Sequence, residues 1–105
     1  MKRVVIESPY AGNVEQNVKY ARACLRDALK RGEAPLASHL LYTQEGVLDD
    51  NLLDERALGI SAGFEWLESA ELQVFYTDYG WSPGMLLAKE DGIKKGTPQE
   101  LRSIL

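Results

Sequence analysis

Four short stretches hold the residues whose types and spacing could do chemistry. Asp78-Tyr79-Gly80-Trp81-Ser82-Pro83-Gly84-Met85 reads as a strand end, a sharp turn and a helix start. Ser82 is a good N-cap, and Pro83 falls at N1, where its missing N–H costs nothing. A carboxylate just past a strand's carboxyl end, facing a helix N-terminus, occupies the ligand-binding position of open α/β folds. The helix end itself favours anions. Ser8-Pro9-Tyr10-Ala11-Gly12-Asn13 adds a hydroxyl, an aromatic ring, a glycine and a second N-cap. Ser38 and the single histidine, His39, form the third stretch, and Arg56 could reach a phosphate or a carboxylate. Together these imply a small, aromatic, anion-tolerant pocket. It lacks the Gly-rich dinucleotide fingerprint and the P-loop lysine, and it has no defensible Ser-His-Asp order. No cofactor is expected.

The elements that must position these residues are legible in the periodicity. Arg3-Val4-Val5-Ile6-Glu7 is a short apolar run that suits a central parallel strand. Val14, Val18, Ala21, Leu25 and Ala28 step at helical spacing, from an Asn13 cap to Lys30, Arg31 and a C′ glycine, Gly32. Ala34 onward reads as a second strand ending near Ser38 and His39, which places the histidine at the same edge as Tyr10 and Asp78. Thr43 to Asn51 is a polar loop over that edge, a candidate lid. Its Asp49 and Asp50 are expected to serve the next helix start rather than a metal.

Leu53, Ala57, Ile60, Phe64 and Leu67 give a second helix, roughly Leu52 to Glu68. Gly59 and Gly63 share one of its faces, a pattern that calls for close approach of another backbone, with a helix, a subunit or a ligand as the partner. The third strand centres on Val74-Phe75-Tyr76. The third helix starts at Pro83 and carries Leu86, Leu87, Ala88 and Ile93. Thr97 to Leu105 is read as a fourth strand, with a terminal helical turn as the alternative. The alternation predicts an α/β fold: a Rossmann-like three-layer sandwich, with a four-stranded parallel sheet and about three helices.

The chain has 105 residues, so one domain over 1–105 is expected. Its net charge of −4, with no basic stripe, argues against nucleic acid or a membrane surface as partner. No apolar run approaches bilayer length, and Met1-Lys2-Arg3 leads straight into a strand with no signal-peptide core. The single cysteine, Cys24, excludes an internal disulfide and suits a reducing cytoplasm. It reads as a small core side chain. One cysteine and one histidine make a metal site improbable.

Ile6-Glu7-Ser8-Pro9-Tyr10-Ala11-Gly12 resembles the first-strand loop of the nucleoside 2-deoxyribosyltransferase-like superfamily. Asp78 to Gly84 is similar to that group's later motif, in which an Asp ends a strand and a Gly turn leads to a Glu at the next helix start. Gly96-Thr97-Pro98 and the βα order also fit, and the chain looks closest to small phage and bacterial members. The resemblance implies a small-molecule nucleoside or nucleotide ligand, cleavage or transfer at an N-glycosidic bond, and a homodimer or higher homo-oligomer. It implies that Tyr10 stacks on the base and Asp78 is the catalytic or assisting carboxylate. Ser8 and Gly12 would approach the sugar or phosphate. The expected ligand-binding set is Ser8, Pro9, Tyr10, Gly12, His39, Arg56, Asp78, Gly80, Ser82, Gly84 and Met85.

One departure matters: Ser82 stands where the family has its catalytic Glu. A serine without an adjacent base cannot replace that nucleophile. Glu90 lies almost two turns into the helix, and Glu65 sits on another helix. Three readings stay open. The chain is an N-glycosidase or transferase with a rearranged carboxylate pair, a binding module that sequesters a nucleotide-derived signal, as in phage counter-defence, or an assembly protein using Gly59, Gly63, Trp66 and Trp81.

Overall fold

The computed structural model describes residues 1–105. Its four strands are β1 (Arg3–Glu7), β2 (Ala34–Leu36), β3 (Leu72–Tyr76) and β4 (Gln99–Arg102). All neighbours pair in parallel, in the order β2-β1-β3-β4. The helices are α1 (Val14–Lys30), α2 (Ser38–Leu41), α3 (Leu53–Glu65) and α4 (Pro83–Lys95), with a 3-10 turn at Trp66–Glu68 closing α3. The four-stranded parallel α/β architecture is the one the alternation predicted.

Strand parity divides the sheet into two faces. Val4, Ile6, Leu72, Val74 and Tyr76 form one cluster with Tyr20, Cys24 and Ala28 of α1. Cys24 is fully buried there, and burial pushes its thiol up to about 12, so it is an inert core side chain. The other face carries Val5, Glu7, Gln73 and Phe75. Gln73 is fully buried against α4, donating from Nε2 to the Ala88 carbonyl at 2.9 Å. A polar pair, Glu7 and Gln73, thus lies on the sheet face that α4 covers.

Local signals set the helix ends. Asn13 Oδ1 accepts from Gln16 N at 3.2 Å, and Ser82 Oγ accepts from Met85 N at 3.2 Å. Gly80 turns the chain between β3 and α4 with φ of +80°, a conformation that favours glycine.

Three expectations are corrected. The second strand stops at Leu36, and Ser38 and His39 sit on the one-turn helix α2. The Leu40 and Leu41 amides turn back onto the Ala37 carbonyl, which ends the extended run. Asp49 and Asp50 do not cap α3, whose N-cap is Leu52 without a side-chain bond. Asp49 Oδ1 instead accepts from Asn51 N at 3.0 Å, within the loop. The close approach at Gly59 and Gly63 comes from side chains: a Cβ at Gly63 would fall 2.5 Å from Ser38 Oγ, and one at Gly59 would fall 3.2 Å from Leu48 Cδ1.

Candidate functional site

A cavity of about 170 Å³ opens at the carboxyl edge of the sheet. The end of β1 and its loop contribute Glu7, Ser8, Tyr10 and Ala11. Ser38 and His39 come from α2, and Arg56, Gly59 and Gly63 from one face of α3. The first turn of α4 adds Ser82, Pro83, Gly84 and Met85. Thr43, Leu48 and Asp50 of the polar loop border it, so that loop lies at the edge expected for it. An outer cavity of about 710 Å³ shares Tyr10, Ala11, Thr43, Leu48, Asp50, Glu55 and Arg56, and adds Gly12 and Val14.

The glycine face of α3 explains part of the shape. Gly63 lets Ser38, and with it His39, lie close to α3. A larger residue would push α2 away from the helix. The His39 imidazole then meets Ser8, with Nε2 2.7 Å from Ser8 Oγ. Burial holds the His39 pKa down at about 4, so the ring is neutral at pH 7. Thr43 Oγ1 donates to the His39 carbonyl at 2.6 Å, tying the loop to α2.

Glu7 is the residue that the sequence reading passed over. It ends β1 on the same face as Gln73, whose Nε2 donates to Glu7 Oε2 at 2.8 Å. Burial pushes the Glu7 carboxyl up to about 7, and the nearby Asp91 charge adds to the rise. The Gln73 hydrogen bond opposes it, though more weakly. A signal was present in the sequence. Glu7 and Gln73 share the parity of Val5 and Phe75 on neighbouring strands, and a buried amide needs a partner.

Arg56 lines both cavities and has no salt-bridge or side-chain hydrogen-bond partner. The acidic residues that share the outer cavity with it are Glu45, Asp49, Asp50 and Glu55, and Glu55 Oε1 accepts from Asp49 N at 3.0 Å. A guanidinium without an ion-pair partner, in cavities that Tyr10 also lines, suits a planar or phosphorylated ligand.

Of the expected residues, Ser8, Tyr10, His39, Arg56, Ser82, Gly84 and Met85 gather at the inner cavity, and Gly12 at the outer one. Pro9 is buried beside the site without lining it. Asp78 and Gly80 line neither cavity, which corrects their placement in the pocket. The Asp78 carboxylate turns instead to Tyr20 and the chain end. Oδ2 accepts from Tyr20 Oη at 2.5 Å, and both oxygens accept from Ile104 N, at 3.0 and 3.1 Å. Leu105 N donates to Oδ1 at 2.9 Å. These donors hold the Asp78 pKa below the usual carboxylate range, Tyr20 contributing most. Glu65 and Glu90 are exposed and line neither cavity. The Trp81 ring packs on Phe75 at 4.9 Å between centroids. Trp66 Nε1 donates to Tyr42 Oη at 2.8 Å, although Trp66 remains 46% exposed.

The family described as a domain of unknown function, DUF7768, matches residues 2–102, and the chain belongs to that family. No curated protein matches the chain at a significant level. Three solved structures are similar. A 2-deoxyribosyltransferase from Bacillus psychrosaccharolyticus aligns with TM-score 0.65 at 17% identity, over 96% of this chain and 72% of that one. A CMP N-glycosidase from Clostridium botulinum aligns with TM-score 0.57 at 15% identity, over 97% and 69%. A 2-deoxyribosyltransferase from Leishmania mexicana aligns with TM-score 0.63 at 11% identity, over 98% and 65%. Identities this low carry the fold alone. The chain has the nucleoside 2-deoxyribosyltransferase-like fold that its first-strand loop resembles.

Proposed function

We propose that residues 1–105 act as a single nucleoside 2-deoxyribosyltransferase-like domain that binds a nucleoside monophosphate at this edge. The observation that carries the reading is Arg56. It is an unpaired guanidinium that lines both the inner and the outer cavity, as Tyr10 does. In this reading the Tyr10 ring stacks on the base, and Arg56 takes the phosphate. His39 and Ser8 offer hydrogen bonds to the base or sugar. Similarity in fold to enzymes that act on nucleosides and on CMP supports the ligand class.

A sequestering module is the second reading, and Ser82 favours it. The first turn of α4 offers the cavity a hydroxyl already used as a helix cap, not a carboxylate. Such a module suits a phage-encoded protein that captures a nucleotide signal in the cytoplasm. Exposed Leu53, Leu58 and Trp66 on and beside α3 are available to a second copy, as a homo-oligomer requires.

Titration calorimetry with deoxynucleosides and their 5′-monophosphates tests the ligand. Arg56→Gln should weaken monophosphate binding by about 10- to 100-fold, the worth of a charge-assisted hydrogen bond, and leave nucleoside binding nearly unchanged. Equal affinity of the variant and the parent for monophosphates would remove the phosphate from the reading.

A further inference from the structure

Half-buried Glu7 and its buried partner Gln73 have the construction of a held functional group. Gln73 is fully enclosed, and its amide is fixed from three sides. Its Nε2 donates to Glu7 Oε2 at 2.8 Å and to the Ala88 carbonyl at 2.9 Å, and its Oε1 accepts from Gln99 Nε2 at 2.8 Å. Gln99 is itself tied to the Lys89 carbonyl at 3.0 Å. Gly92 leaves the space that this amide fills, since a Cβ there would run into Gln73 Oε1. Thus β3, β4 and α4 together hold one oxygen of Glu7. The other, Oε1, has no partner in the protein, and Glu7 lines the inner cavity.

No cation neutralises this carboxyl. Among the charged and titratable groups around it, Asp91 of α4 is ion-paired with Lys95 at 2.8 Å. His39 of α2 is neutral at pH 7. Asp50 of the loop and Glu55 and Arg56 of α3 line the cavity's outer part. A carboxyl in such surroundings exchanges its proton near neutral pH, as a general base should.

We propose that Glu7, positioned by Gln73, is the proton-transferring carboxyl of this site and hydrolyses the N-glycosidic bond of a bound nucleoside monophosphate. The inference rests on the nucleotide reading of the cavity. Glu7 takes a proton from a water molecule as the water oxygen bonds to the anomeric carbon. The bond from that carbon to the base nitrogen breaks, and its electron pair leaves with the base. Glu7 then passes the proton to that nitrogen, and the products are free base and sugar phosphate. Water activated by a carboxylate on β1 thereby takes the place of the nucleophile that the residue at position 82 cannot be. Gln73 touches no substrate and is a positioning residue.

The test follows base release by chromatography over a day, with binding to the same deoxynucleoside monophosphates measured in parallel. Glu7→Gln keeps the acceptor that Gln73 needs, so it should fold and bind. It should release base at least about 100-fold more slowly than the parent. The parent rate should rise with pH through an inflection near 7. In Gln73→Leu, which loses the hydrogen bond to the carboxylate form, that inflection should move to higher pH. Binding by the parent without base release, or parental rates in Glu7→Gln, would overturn the role of Glu7 alone. No binding by any of the monophosphates would overturn the nucleotide reading and this inference with it.

Discussion

The Tyr20 hydroxyl, on α1, lies 2.5 Å from Asp78 Oδ2, beyond the end of β3. The same phenolic oxygen accepts from Asp78 N at 3.0 Å, so the two residues clasp each other. With the Ile104 and Leu105 amides added, Asp78 is a clamp between α1, β3 and the chain end. Asp78→Asn should therefore lower the melting temperature by a few degrees and leave nucleotide affinity unchanged. Asp78 has a folded pKa below its unfolded one. Its contribution is present above the unfolded value and is lost as pH falls through the folded one. The parent's advantage over the variant should fade in strong acid. A variant that melts like the parent at pH 7 but loses ligand would return Asp78 to the site.

Glu7 makes the opposite contribution to pH dependence. Its folded pKa, about 7, lies above the ordinary value of 4.5. The folded state therefore binds more protons between those values, and stability falls as pH rises through that window. Glu7→Gln should remove this slope and stabilise the protein at pH 8 by about 1–3 kcal/mol. The difference between parent and variant in urea denaturation from pH 4.5 to pH 8 reads it. Parallel curves for parent and variant would mean an ordinary carboxyl.

His39 works at the acid side of the same range. Its folded pKa is about 4 against an ordinary 6.5. Below pH 6.5 the unfolded chain takes up the proton first, so stability is lost as pH falls toward 4. His39→Gln should flatten that loss, which amounts to about 1–3 kcal/mol. Because Glu7 and His39 slope in opposite senses between 4.5 and 6.5, the parent should look nearly pH-independent there. Each single variant should expose the other group's slope. A flat profile in both variants would show that neither group is shifted.

Gly63 is a contact between helices rather than a flexible point. A Cβ there would fall 2.5 Å from Ser38 Oγ and 3.0 Å from Ser38 Cβ. Gly63→Ala should destabilise the fold by about 1–3 kcal/mol through overpacking, despite alanine's better helix propensity. Adding Ser38→Gly should recover most of the loss, because the residues are direct neighbours. Additive effects in the double variant would show that α2 and α3 do not meet there.

The sequence by itself determined the elements whose causes are local. Stepped apolar residues, the Asn13 and Ser82 caps and Pro83 at N1 act within a turn or two of chain, and α1 and α4 begin where these signals stand. The βα alternation likewise determined a parallel sheet, because parallel neighbours need crossovers. It also brought Ser8, Tyr10, His39, Arg56 and Ser82 to one edge, although His39 arrived there on a helical turn. Only the tertiary structure decided what the carboxylates do. Asp78 meets partners 26 and 58 positions away, and nothing local aims its side chain at them. Glu7 gains its shifted proton affinity from burial and from Gln73, 66 positions away on the neighbouring strand. Hydrogen bonds and desolvation depend on which atoms meet in space, and periodicity along the chain carries no record of that.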